Sequence, residues 1–330
     1  MKTRWPGFAA AMSLMLSLFG PACGVSPVRL AWLANDAKNT YDNAILTGIM
    51  DAAGPSQSTV EPFFAGFDPE QQAAQCKQAL DAHLYDGMLI IAADPIKILP
   101  CVMKAESAGV PVAAVDLPIG SDQTTVAPQV RGEVAASFIT ASDFANAVGT
   151  LLPQVCAGLQ TCNLFYIAGL SSFPAEVCSL NMIKQAAAAN AAIRLVGDGE
   201  ALYDTGTARK VASDALAAHP EINAMIALGD QMALGVEQAA TAAGVKLRIG
   251  GGGAGASALS AVREGRWLAT LNALPRTEGR LGAELLIKAI RDRNTPPMGV
   301  NPVASSGLPL WWTKTELVQH PDFVAEWPGP

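Results

Sequence analysis

The sequence predicts an α/β protein built as two doubly wound parallel-sheet lobes with an interlobe cleft. Three observations carry this. Apolar runs of strand length recur along the chain, each followed by a turn and a capped segment of helix length. The series starts afresh near Asp143, with no linker or low-complexity break. At 330 residues the chain is near the limit of one core, so two lobes of ~150 residues are expected.

The first series opens with a strand at 28–33, a polar loop at 35–41 and a helix at 42–53. A strand at 60–64 follows, and then Asp68-Pro69-Glu70, an N-cap with proline at the first helical position, opens a helix ending near His83. Strands at 88–91 and 110–115 flank a helix begun by Asp94-Pro95, and the second of them ends at Asp116. A polar, turn-rich stretch at 120–129 leads to a fifth strand at 134–139.

The second series begins where Asp143 is placed to cap a helix at 144–154. Strands at 164–167 and 193–196 alternate with helices at 174–190 and 205–218. The run 224–228 is too short for a helix and fits a buried parallel strand. Gly229-Asp230 breaks it, Asp230 is a good N-cap, and Gly244 is a natural stop for the helix that follows. A strand at 245–249, a glycine run at 250–253, a helix at 257–264, a strand at 268–271 and a helix at 277–291 complete the series. Trp311-Trp312 marks a last short strand, read as core and edge packing. The expected lobes are 25–142 with 274–300, and 143–273 with 301–330, behind a leader at 1–24.

Lys2 and Arg4 precede a 14-residue apolar stretch at 7–20 that ends in small residues, the pattern of a secretory signal and too short to span a bilayer. Export to the periplasm is expected. Cys23 is a candidate for lipid attachment, although Gly20 stands where an aliphatic residue is usual. Net charge is −7 without a basic cluster, which argues against nucleic acid. Six cysteines suit an oxidising compartment. Cys76 with Cys101 could staple consecutive helices, Cys156 with Cys162 could close a short loop, and Cys178 is left over. Nothing in the cysteine and histidine spacing supports a metal site.

Three stretches carry a family resemblance over nearly the whole mature chain. AGVPVAAVD at 108–116 is similar to a Gly-Ile-Pro-Val strand ending in Asp. AHPEINAMIALGDQMALG at 218–235 resembles a His-Pro-Asp-Ile stretch that leads through a strand to Asn-Asp-x-Met-Ala-x-Gly. GRWLATLNALP at 265–275 resembles a segment that crosses back between lobes. Together, in this order, they resemble the ribose/galactose type of periplasmic solute-binding protein, whose fold also forms the effector domain of lactose-repressor-like regulators. A leader in place of a helix-turn-helix disfavours the regulator.

The resemblance implies a ligand held by loops at the carboxyl ends of strands, with hinge closure around it. Carried over, the candidates are Asn39, Tyr41, Asp116, Asp143, Phe173, Tyr203, Asp230 and Asn272. Tyr and Phe would stack on a ring or enclose an apolar body, and the carboxylates would accept hydrogen bonds from hydroxyls or an amine. Asp143 and Asp230 also suit plain helix capping, and Tyr203 plain packing. The departures point away from a simple sugar. Sugar binders of this type usually carry Asn where Gly229 stands, Asp within the 250–253 run, and Arg around 176–178 and near Thr205. Losing about four such groups, at ~0.5–1.5 kcal/mol net per hydrogen bond, removes much of the binding energy of a sugar. A ligand less polar than a hexose is therefore expected, and the glycine run would leave it room.

Gly250, Gly252 and Gly255 match a dinucleotide fingerprint, but late in the chain and in an exported protein, so no cofactor is expected. Nucleophile elbows, zinc-protease helices and phosphate loops are missing, and no enzyme is expected. The function expected is that of a monomeric solute-binding protein delivering a small molecule to a membrane permease. Alternatives are presentation to a sensor kinase or chemoreceptor, and a lipid or sterol carrier.

Overall fold

The structure, a computed structural model, describes residues 27–330; the expected leader and Cys23 lie outside them. In chain order the first part runs β1 (Arg29–Ala34), α1 (Thr40–Ala53), β2 (Thr59–Phe64), α2 (Pro69–Asp81), β3 (Gly87–Ile90), α3 (Leu99–Ser107), β4 (Val112–Val115) and β5 (Glu133–Ser137). The second part is α4 (Ala141–Cys156), β6 (Cys162–Ala168), α5 (Pro174–Ala189), β7 (Ile193–Glu200), α6 (Thr205–Ala218), β8 (Ala224–Ala227), α7 (Asp230–Ala243), β9 (Arg248–Gly252), α8 (Ala256–Glu264) and β10 (Ala269–Leu271). The remainder is α9 (Pro275–Arg291), β11 (Met298–Val300), α10 (Pro302–Ser306), β12 (Trp311–Thr313) and α11 (Lys314–Gln319).

Two six-stranded sheets result, ordered β11-β5-β4-β3-β1-β2 and β12-β10-β9-β8-β6-β7. All pairs are parallel except β10 with β12. The inner strands β3, β4 and β8 are buried at every position, as parallel strands covered on both faces must be. The chain crosses between the sheets three times: after β5, between β10 and α9, and between β11 and β12. Ile139, Ala273, Leu274 and Val303 pack together where the crossings meet.

Local chemistry explains the boundaries. Asp68 caps α2 by accepting from the N–H groups of Glu70 and Gln71. Gly244 ends α7 in the left-handed conformation. Two expected caps are not caps. Thr140, in extended backbone, caps α4 by accepting from Asp143 N, so Asp143 falls in the first turn. Gly229 stands at the cap of α7 with no side chain to offer, and Asp230 is the first helical residue, turned inward. β9 begins three residues later than the expected strand and absorbs Gly250, Gly251 and Gly252.

Cys76 and Cys101 are bridged, joining α2 to α3, and Cys156 and Cys162 close the turn between α4 and β6; Cys178 is free. Trp311 donates its indole N–H to Ala147 O at 2.8 Å, and Trp312 stacks on Phe323 at 4.0 Å, so the tryptophan pair is packing. Helices α1 and α9 touch backbone to backbone. A Cβ at Gly48 would sit 1.8 Å from Arg276 O, and one at Gly279 would sit 2.1 Å from Ile45 O. The chain end bridges the two sheets' territories: Trp327 donates to Gly253 O at 2.7 Å and packs edge-on against Tyr41 at 5.5 Å, while Glu326 accepts from Thr277 N at 2.9 Å.

Candidate functional site

Between the sheets, at the carboxyl ends of their parallel strands, lies a partly open cavity of ≈ 80 Å³. The first lobe contributes from three strand ends. After β1, Asn39 caps α1, its Oδ1 accepting from Tyr41 N at 2.9 Å and Asp42 N at 3.4 Å. Asp42 reaches back to accept from Asp36 N at 2.9 Å, which fixes the loop, and Asn35 and Tyr41 also line the wall. After β2 comes Phe67, and after β4 comes Asp116. The second lobe contributes Phe173 and Glu176 after β6, Tyr203 after β7, Gln231 after β8, Gly252 and Gly253 after β9, and Ala273 after β10.

Contacts across the cleft hold the two walls together. Gln231 Nε2 donates to Asn39 Oδ1 at 3.3 Å. Phe67 meets Tyr203 at 6.1 Å and Phe173 at 6.4 Å, and Phe173 meets Tyr203 at 6.1 Å, a three-ring cluster drawn from both lobes. Of seven non-glycine residues with positive φ among the described residues, three line the cavity: Phe67 at 62°, Asp116 at 64° and Tyr203 at 53°. Such conformations are sparsely populated and collect where side chains must be aimed.

The electrostatics are one-sided. Among the described residues Asp42, Asp116 and Glu176 line the cavity, and no Lys, Arg or His does. Burial pushes the carboxyl of Asp42 up to about 7, against the N–H bonds it accepts and with Asp116 adding to the shift. Burial alone raises Asp116. Glu176 is 2% exposed and raised by burial, yet it accepts from Gly169 N at 2.8 Å, from Tyr203 OH at 2.9 Å and from Tyr166 OH. Behind the wall, Glu278 accepts from Tyr41 OH at 3.4 Å and is also raised by burial, with Asp116 and Glu326 adding to it. Among the described residues no group of three or more His, Cys, Asp or Glu is arranged to hold a metal.

Five of the eight candidates come together on this wall: Asn39, Tyr41, Asp116, Phe173 and Tyr203. Three stand elsewhere. Asp230 is fully buried behind β9, accepting from Gly255 N at 2.8 Å and Thr270 Oγ at 2.7 Å, and burial pushes it up to about 7. Asn272 is fully buried in a crossing and donates to Pro309 O at 2.9 Å. Asp143 lies at another crossing, accepting from Asn301 Nδ2 at 2.9 Å. Sequence reading missed Asn35, Asp42, Phe67, Glu176 and Gln231. Phe67 had a usable signal: it follows a strand and directly precedes the Asp68 cap, as Tyr203 follows a strand and precedes Asp204.

The model of the periplasmic binding protein domain matches residues 30–294. The chain belongs to the periplasmic binding protein family. It is 25% identical over 295 residues to the ribose import binding protein of Bacillus subtilis (strain 168), covering 84% of this chain and 91% of that one. Two solved structures share the fold. An ABC transporter solute-binding protein of Bacillus halodurans C-125 with bound myo-inositol has a TM-score of 0.76 at 16% identity, covering 91% of this chain and 99% of its own. The periplasmic solute-binding protein of Actinobacillus succinogenes 130z with bound D-allose has a TM-score of 0.74 at 21% identity, covering 88% and 99%.

The glycines of this periplasmic binding protein serve its own side chains. The ring of Tyr203 lies over Gly169, where a Cβ would come 2.0 Å from its Cζ, and against Gly229, where a Cβ would come 3.1 Å from its Cδ1. Tyr203 thus takes the space that a side chain at 229 would need. A Cβ at Gly251 would lie 2.8 Å from Trp267, and one at Gly253 2.8 Å from Trp327. The glycine run was expected to leave room for a ligand; it makes room mainly for two tryptophans and Asp230.

Proposed function

We propose that this periplasmic binding protein captures a small solute in the cleft cavity and carries it through the periplasm to a membrane permease. The observation that carries this is a cavity walled by both lobes at the carboxyl ends of parallel strands, the position where open α/β sheets take ligands. The relatives' own descriptions, import binding protein and ABC transporter solute-binding protein, support the transport role. Asn39, Tyr41, Asp116, Phe173 and Tyr203 are the proposed contacts, joined by Phe67. Solute contacts to both lobes would shift the population toward the closed form.

The solute is proposed to be less polar than a hexose. Phe67, Phe144, Phe173, Tyr41 and Tyr203 face the cavity, and the arginines that read a polyol in bidentate fashion do not. Size argues against a sterol or lipid: ≈ 80 Å³ is far below the ~300–1,000 Å³ of sites for larger organic ligands. Native mass spectrometry of the purified protein, with extraction of any bound compound and calorimetric titration of it, tests the reading. A bound small molecule whose affinity falls at least ten-fold in Phe173→Ala supports it. Tight binding of D-ribose or D-allose with no preference for a less hydroxylated compound would refute the polarity argument.

A further inference from the structure

Among the described residues the cavity wall carries three carboxylates and no cationic side chain. Three of its side-chain donors are already engaged: Tyr41 OH with Glu278, Tyr203 OH with Glu176, and Gln231 Nε2 with Asn39 Oδ1. Asn35 is 2% exposed, lines the cavity, and its Oδ1 accepts no hydrogen bond from the described residues. Asp116 lines the same space from a left-handed backbone, and its charge adds to the upward shift of Asp42. A neutral ligand would leave the carboxylates of this wall without a counter-charge when closure buries them. An ammonium group only donates, and it also neutralises carboxylates that closure would otherwise bury without a partner.

The apolar part of the wall points the same way. Tyr41, Phe67, Phe144, Phe173 and Tyr203 surround the carboxylates, and aromatic faces attract a desolvated cation. No Lys, Arg or His on the wall competes for Asp116 or Asp42.

We propose that the one polar handle of the solute is a positively charged nitrogen, an amine or alkylammonium on an otherwise apolar, compact body, held by Asp116 with Asp42 beside it and enclosed by the aromatic side chains. This rests on the cavity being the solute site. The test pairs charged probes with neutral isosteres in calorimetric titrations at pH 8: choline with 3,3-dimethylbutan-1-ol, and D-glucosamine with D-glucose, with myo-inositol as a neutral polyol control. The charged member of a pair is expected to bind at least ten-fold more tightly than its partner. Asp116→Asn is expected to abolish that preference while the variant keeps its cooperative thermal transition. Equal or tighter binding of the neutral members, or a preference unchanged in both Asp116→Asn and Asp42→Asn, overturns the assignment. Binding of myo-inositol or D-glucose with the amines silent overturns the charge and leaves the solute site standing. Silence from all five probes overturns both.

Discussion

Asn39 Oδ1 is shared between a helix cap and the cleft: it accepts from Tyr41 N at 2.9 Å within α1 and from Gln231 Nε2 at 3.3 Å across the cleft. One oxygen therefore belongs to the fold of the first lobe and to its closure on the second. Gln231 takes part only in the second role, so the two can be separated by mutation.

Gln231→Ala removes the cross-cleft bond and leaves the cap. One hydrogen bond of about 0.5–1.5 kcal/mol shifts the open–closed balance roughly 2- to 13-fold toward open. Small-angle scattering of the ligand-free variant is expected to show a larger radius of gyration than the parent, with the melting temperature little changed. An identical scattering curve would remove Gln231 from the closure.

Tyr203→Phe keeps the ring over Gly169 and deletes the hydroxyl that donates to Glu176 at 2.9 Å. A buried carboxyl loses one of its three donors, at a cost of about 1–2 kcal/mol. The melting temperature is expected to fall by roughly 2–8 °C. An unchanged melting temperature would mean that the Glu176 network contributes nothing to stability.

Stability should decline as pH rises from 5 to 8. Burial holds Asp42, Glu133 and Asp230 up at about 7, whereas unfolded carboxyls titrate near ~4. Between those values the native state binds more protons than the unfolded chain, so each unit of pH lowers the unfolding free energy. The contribution is complete below the unfolded value and is lost through about 7. Asp42 faces Asp36 and Asp116, while Asp230 faces only the Thr270 hydroxyl and the N–H groups of Gly252 and Gly255 among the groups that shift it. Carboxylates held low by partners, such as Asp51 and Asp81, act below this window. Calorimetric melting at pH 5.5 and 8 should show the drop, and Asp230→Asn should make it shallower. A melting temperature that rises over this range would contradict the buried carboxyls.

Cysteine chemistry offers a direct check. Iodoacetamide applied to the unreduced, denatured protein is expected to label Cys178 alone among residues 27–330. Breaking the bridge between α2 and α3 with Cys101→Ser should destabilise by about 3 kcal/mol, given its sequence separation of 25. Label on Cys76 or Cys101 without reductant would disprove the pairing.

The fold was readable because its signals are local. Apolar runs such as 112–115, caps such as Asp68 and stops such as Gly244 report their elements without reference to distant residues. The strand at Met298–Val300 was not readable: it is three residues long, and its pairing with β5 is set by the crossing chain. The site was half readable. Strand ends bearing Tyr41, Asp116 and Tyr203 announce themselves, but the direction of a side chain does not. Asp230 follows a strand as Asp116 does, yet the glycines at the end of β9 let it turn back into the core. Whether a carboxylate faces a ligand or its own backbone depended on residues ~20–40 positions away, Gly255 and Thr270.

The backbone contact of α1 with α9 makes those two helices a single lever. α1 carries Asn39, Tyr41 and Asp42 at its start, and α9 begins directly after the crossing that contains Asn272. With no space for a side chain between Gly48 and Arg276, the two helices are held at backbone contact. Two glycines outside the cavity lining thus set how closely the helix that starts at the cavity is joined to the helix that starts at the crossing.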